Sequence, residues 1–184
     1  MRPNVRKKKL LFIMPGLAAG GGEKALVNLL GRLDYGRYDV DLFLLDNGGL
    51  FMDLLPPDVR VLPWPGRYER FRQPCLRSVL SSLRAGDAPL AASRLLYAAR
   101  ARIGPTSAVR EQYGWRHLRR ALVSAVPGRY DAAIGFLEKT STYFCVDLAR
   151  AERKIGWIHI DYDRLGMDPA FDEPYFGKLD HLVT

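Results

Sequence analysis

Lys9-Leu-Leu-Phe-Ile-Met-Pro-Gly-Leu-Ala-Ala-Gly-Gly-Gly-Glu-Lys-Ala-Leu-Val-Asn-Leu-Leu30 decides the fold. A short apolar run over 9–14, closed by Pro15 and Gly16, is the pattern of an interior strand. From Glu23 the spacing changes. Ala25, Leu26, Leu29, Leu30 and Leu33 share one face of a helix expected over 23–33. Between them lies a loop with four glycines, Gly16, Gly20, Gly21 and Gly22, where a ligand can approach the backbone. Glu23 in the first helical turn suits the positive end of the helix dipole.

The same alternation continues outward. Strands are expected at 38–45, 59–62, 131–136, 154–160 and 179–183. Asp46-Asn-Gly-Gly49 marks a turn after the second of them, and Pro56-Pro57 stops a short helix at 51–55. Two or three helices fill 67–126, and further helices are expected at 140–148, capped by Thr140 or Ser141, and at 168–177, with Asp168 as cap and Pro169 first. Strands alternating with helices imply an α/β, doubly wound, Rossmann-like and mainly parallel sheet covered on both faces. Ligands then bind outside the C-terminal ends of the strands, near a switch in strand order.

Bulk properties narrow the class. A chain of 184 residues suits one domain, and 48% apolar with 26% charged residues is ordinary for a globular protein. No apolar run approaches the roughly 20 residues a membrane span needs. Arg2, Arg6 and Lys7 to Lys9 before an apolar run resemble a signal peptide, but the run is too short and reads better as a strand. Two cysteines, Cys75 and Cys145, make neither a disulfide framework nor a metal site, and Cys145 reads as a small core residue. The cytosol fits that usage, and no metal or cofactor is expected.

The net charge of +8 is concentrated in the middle third. Arg67 to Arg120 holds 12 arginines, no lysine and three acids, Glu69, Asp87 and Glu111; the rest of the chain nearly balances. Aromatics and leucines (Tyr68, Phe71, Leu76, Leu80, Leu83, Leu95 among them) interleave with these arginines. Such a surface suits anionic lipid headgroups and suits equally well a solvated face whose arginine stems cover the sheet. Nucleic acid is not expected, since no reading motif accompanies the charge.

Three strand-end loops hold the candidate chemistry. Gly20, Gly21, Gly22 and Glu23 open the first helix, where bare amides suit phosphate or sugar oxygens. A Walker A loop is excluded because Gly22 is followed by Glu23-Lys24-Ala25. A dinucleotide fingerprint fits loosely as Gly20-x-Gly22-x-x-Ala25 with Asp46 as ribose acceptor, although its first glycine lies well past the strand. Trp157-Ile-His-Ile-Asp161 places His159 and Asp161 at a strand end, where they can hydrogen-bond a sugar hydroxyl or take up a proton; a structural histidine is the plainer reading. Glu138 follows the fourth strand and either binds a polar ligand or sits on a solvated helix start. His117 and His181 have no partners that make them candidates.

Four segments in order resemble the N-terminal domain of family-4 glycosyltransferases: the opening stretch, Tyr130-Asp-Ala-Ala-Ile-Gly-Phe-Leu-Glu138, Lys154-Ile-Gly-Trp-Ile-His-Ile-Asp161, and Tyr175-Phe-Gly-Lys-Leu-Asp-His-Leu-Val-Thr184. The middle third matches in helical character only. The resemblance implies one half of a GT-B architecture, spanning 1–184 as a single acceptor-side domain with a helical, Arg-rich segment at about 67–126. It implies transfer of a sugar from a nucleotide-diphosphate sugar to an acceptor, with retention and without a metal. The acceptor class it suggests is a lipid-linked glycan of cell-surface polysaccharide synthesis, with the enzyme peripheral at the inner face of the plasma membrane. It also implies that Gly20 to Gly22 lie near the donor phosphates, that His159 contacts the transferred sugar with Asp161 beside it, and that Glu138 borders the acceptor. The donor-binding domain has no counterpart in these residues, so the chain alone is expected to bind donor poorly and not to catalyse transfer. A non-catalytic nucleotide- or sugar-binding module, or an NAD-dependent oxidoreductase domain, are the alternatives.

Overall fold

The computed structural model describes residues 6–184, so Arg2 of the basic N-terminal run lies outside the described residues. The chain divides into two compact units. The first comprises 6–62, 128–159 and 175–184 of the described residues; the second comprises 63–127 and 160–174.

The first unit is a six-stranded, all-parallel sheet in the order β3-β2-β1-β4-β5-β6. The strands are β1 (Lys8–Met14), β2 (Tyr38–Leu44), β3 (Val59–Val61), β4 (Tyr130–Gly135), β5 (Ala151–Trp157) and β6 (His181–Val183). Helix α1 (Gly21–Leu30) lies against one face. Its buried Leu26, Val27 and Leu30 join Phe12, Met14, Leu42, Leu44, Ile134 and Phe136 in one core. The register explains this grouping, because Phe12 pairs with Leu42 and with Ile134, and Met14 with Leu44. Neighbours across a parallel ladder point the same way, while alternate residues along each strand point to the other face. Leu11, Ile13, Phe43 and Ala133 therefore form a second core under helix α6 (Thr140–Asp147). There Phe43 stacks on Phe144 at 4.8 Å, and the Cys145 thiol points at the Ala133 carbonyl, 3.3 Å away. Burial pushes that thiol's pKa up to about 11, so it behaves as the core residue its sequence context predicts.

Gly135 lets α6 come this close. A Cβ there would sit 2.8 Å from both the Ser141 carbonyl oxygen and the Thr142 Cα, which are backbone atoms that no rotamer change can move. Midway along β2, on the side of the sheet where Tyr130 begins β4, Asp41 is buried and fully engaged. Arg60 binds it through two hydrogen bonds of 2.7 and 2.6 Å, and the Tyr130 hydroxyl donates a third at 2.6 Å. These residues line a cavity of about 290 Å³.

The second unit contains α2 (Gly66–Arg72), α3 (Cys75–Arg84), α4 (Ala88–Arg100) and α5 (Ser107–Leu118). Sequence spacing predicts two or three helices here; there are four, because Pro74 breaks α2 from α3. Asp87 caps α4 by accepting from the Leu90 amide and pairs with Arg67 at 2.9 Å. The segment 160–174 is held to α5 by the buried Gln112 side chain, which bonds both the amide and the carbonyl of Asp168. Asp168 caps α7 (Pro169–Phe176) through the Ala170 amide, with Pro169 first, as its sequence predicts.

Several boundaries differ from expectation, each for a local reason. The fifth strand, expected at 154–160, is Ala151–Trp157 because its pairing begins at Tyr130↔Ala151. The sixth, expected from 179, begins at His181 because Leu179 closes a turn onto the Phe176 carbonyl. The helix expected at 51–55 is a single 3₁₀ turn, Met52–Leu54. Thr140 and Ser141, expected as caps of α6, are buried inside it, and Lys139 stands at the cap with no side-chain bond to the helix.

Candidate functional site

A strand order of 3-2-1-4-5-6 reverses direction between β1 and β4. The crevice at the C-terminal ends of these two strands is where such sheets bind ligands. Two loops border it, 15–20 after β1 and 136–139 after β4, and the chain leaving β5 runs beside them.

Helix α1, expected over 23–33, runs Gly21–Leu30, so Gly21 and Gly22, expected in the loop, form its first turn. The first intrahelical bond runs from the Lys24 amide to the Gly20 carbonyl, leaving the amides of Gly21, Gly22 and Glu23 ahead of it. No heavy atom would lie within 4 Å of a Cβ at Gly21, so this end of the helix is open. At Gly20 a Cβ would collide with the Glu23 carboxylate, which folds back over the cap residue. A Cβ on Gly22 would lie 3.0 Å from Leu137 Cδ2 and 3.9 Å from His159 Cγ. These contacts bring the glycine loop, the β4 loop and the end of β5 into one place.

Glu138 is 5% exposed, and the hydrogen bond it receives is a long one, 3.4 Å from the His159 amide. Most of its acceptor capacity is therefore unused by the protein's own donors. The next residue, Lys139, has φ 59°, a left-handed value that a residue with a Cβ adopts only under constraint, at a cost of about 1–3 kcal/mol. Strain and a poorly satisfied acid thus stand side by side at the mouth of the switch point.

His159 completes the group. Its ring stacks on Trp157 at 5.5 Å with planes 9° apart and meets Phe136 at 4.6 Å. Trp157 and His159 therefore face the same side, as strand alternation predicts, although β5 ends at Trp157. The aromatic walls desolvate the imidazole and lower its pKa below 6.5; Glu138 and then Glu23 pull in the opposite direction. A neutral ring results near pH 7, and its Nε2 is buried with no hydrogen-bond partner. That nitrogen, the Glu138 carboxylate and the three amides of α1 can together bind a ligand carrying both hydroxyl and anionic oxygen.

Asp161 belongs to the second unit, is exposed, and its carboxylate pairs with Arg164 at 3.0 Å. The acids gathered around His159 within the first unit are Glu138 and Glu23. Asp46 lies at the end of β2, where its Oδ1 accepts from the Gly48 amide. The strain at Lys139 and the closing of Phe136 and Trp157 into a wall around His159 are not legible in the sequence. Nothing in composition announces a positive φ at a lysine, and aromatic residues beside a strand end are as common in plain cores. Among the described residues no group of three His, Cys, Asp or Glu side chains is placed to hold a metal ion, and no helix is long and apolar enough to cross a membrane. No family model matches the chain, and no curated protein matches it significantly.

Proposed function

We propose that this chain is the acceptor-side, N-terminal half of a GT-B glycosyltransferase of the family-4 type, which moves a sugar from a nucleotide-diphosphate sugar to an acceptor. The observation that carries the reading is the convergence of the open α1 terminus, Glu138 and the unpartnered His159 Nε2 at the β1/β4 switch point. The amides of Gly21 and Gly22 suit donor phosphate oxygens, His159 a hydroxyl of the transferred sugar, and Glu138 the acceptor. In the reaction the sugar–phosphate bond breaks and the nucleoside diphosphate leaves with its electron pair. The acceptor oxygen bonds the anomeric carbon, and its proton passes to the departing phosphate oxygen. Positioning and charge stabilisation supply most of the acceleration, so no strong base is required. Four sequence segments in the family's order support the same reading. A lipid-linked glycan acceptor, and the cytosolic side of a membrane as the place of action, belong to the reading as well.

An NAD-binding oxidoreductase domain is favoured by one observation, Asp46 at the end of β2. Against it, six residues separate Met14 from Gly21 where a dinucleotide turn is tight, and Leu17 within them is fully buried. The test is an NMR titration of the chain with nucleotide-diphosphate sugars and, separately, NAD. Weak binding of the sugar nucleotide, with shifts confined to the Gly20–Glu23 amides, Glu138 and the His159 ring, is expected. Tight NAD binding displaced by ADP overturns the transferase in favour of the oxidoreductase. Shifts remote from the switch point sink the site, and absence of sugar transfer when a donor-binding domain is supplied leaves a non-catalytic module.

A further inference from the structure

Helix α3 is packed inside out. Its sequence, Cys-Leu-Arg-Ser-Val-Leu-Ser-Ser-Leu-Arg over Cys75–Arg84, has a leucine stripe that hydrophobic patterning places in the core. The structure instead buries Ser78 and Ser82 completely, with neither hydroxyl hydrogen-bonded, and leaves Leu76, Leu80 and Leu83 exposed by 73%, 43% and 51%. The small serines let α3 lie close to its neighbours, and the leucines face outward at the i, i+4, i+7 spacing of one helical face. The following helix repeats the pattern. On α4, Ala88, Ala92, Leu95, Leu96 and Ala99 are exposed, while Leu90, Ala91 and Ser93 are buried. Two consecutive helices thus show apolar stripes to solvent, which isolated exposed leucines do not explain.

The charge around these stripes has one sign. From Cys75 to Arg100 the chain carries Arg77, Arg84, Arg94 and Arg100 against one acid, Asp87, whose carboxylate is held by Arg67. Arg77 and Arg84 are exposed beside the leucines. An apolar stripe rimmed by arginine is the pattern of a helix lying in a membrane interface, with leucines among acyl chains and guanidinium groups at anionic headgroups. A second copy of the chain fits less well, since its identical arginine rim repels. We propose that the α3–α4 hairpin docks the protein on anionic lipid bilayers, with Leu76, Leu80 and Leu83 as the inserting residues. The proposal does not depend on the transferase reading, and vesicle binding reports on it alone.

The experiment is flotation of the chain with vesicles of phosphatidylcholine, and with vesicles in which half of that lipid is replaced by phosphatidylglycerol. Binding to the anionic vesicles, weakening as salt rises and about tenfold weaker on phosphatidylcholine alone, is expected. Leu76→Ser, Leu80→Ser and Leu83→Ser combined should reduce binding by about 100-fold. Because these side chains are exposed, circular dichroism and Tm should not change. Arg77→Glu with Arg84→Glu should abolish the preference for anionic lipid, whereas Leu54→Ser, an exposed leucine outside the hairpin, should have no effect. Vesicle binding that is absent, indifferent to lipid charge, or untouched by the leucine substitutions overturns the proposal. A dimer in sedimentation that the same leucine substitutions dissolve overturns it in favour of self-association.

Discussion

The two edges of the sheet treat buried polar groups in opposite ways. Toward the N-terminal edge, Asp41, midway along β2, receives three short hydrogen bonds, two from Arg60 and one from Tyr130 at the start of β4. At the C-terminal edge, Glu138 is equally buried but receives one bond of 3.4 Å, and the His159 Nε2 has no partner. A buried acid whose bonds are complete contributes to the fold and has little left to offer a ligand. One whose bonds are incomplete keeps acceptor capacity that a ligand can use. The contrast separates a saturated cluster from one with unused hydrogen-bonding capacity within a single sheet, and the proposed function rests on the second.

Four experiments break or sharpen this contrast. The largest effect belongs to the glycine that sets the C-terminal edge in place. Gly135→Ala forces β4 and α6 apart against backbone atoms, and urea unfolding should show a loss of about 3 kcal/mol. A near-neutral result means the close approach does not hold the edge.

Next in size is a direct test of the two acids. Tyr130→Phe removes a hydrogen bond to a buried carboxylate and should cost about 2 kcal/mol. Glu138→Gln replaces an acid that has little to lose and should cost less than about 1 kcal/mol. Equal losses in denaturant titrations erase the distinction between the edges.

The N-terminal edge should also set the alkaline limit. Burial, and then the hydrogen bond to Asp41, raise the Tyr130 pKa far above its ordinary 10.0. The folded state holds this proton more tightly, so the stabilisation is complete below pH 10 and is lost as pH climbs beyond it. Tyr130→Phe should flatten that decline in a Tm-against-pH series, and an unchanged slope rules the residue out as its source.

The smallest effect lies at His159. Its imidazolium is disfavoured in the folded state, so acidification below pH 6.5 should cost stability as the unfolded chain takes up the proton. Glu138 raises this pKa against desolvation, and Glu138→Gln should therefore move the ring titration, followed by NMR, to still lower pH. Movement upward, or none, places the carboxylate too far away to matter.

Much of the fold was legible because burial follows period. The apolar run over Lys9–Met14 and the leucines of α1 can be satisfied only by a covered strand and a one-faced helix, and both formed. The glycines, Glu138 and His159 were legible as candidates because each follows a strand, and in a parallel sheet every such loop lies on one edge. The hairpin of α3 and α4 is left open by the sequence, where a lipid-facing surface and a solvated face read equally well. Its hydrophobic pattern is genuine, but pattern alone does not say which medium meets the apolar side.

The sequence by itself therefore determined the α/β alternation, the parallel sheet and the edge on which the strand-end loops gather, since these follow from local periodicity and chain direction. Only the tertiary structure decided that Gly22, Glu138 and His159 meet, that Asp41 is satisfied where Glu138 is not, and that α3 turns its leucines outward. Each of these depends on what a side chain touches across more than ten residues of chain, where propensity carries no information and only packing does.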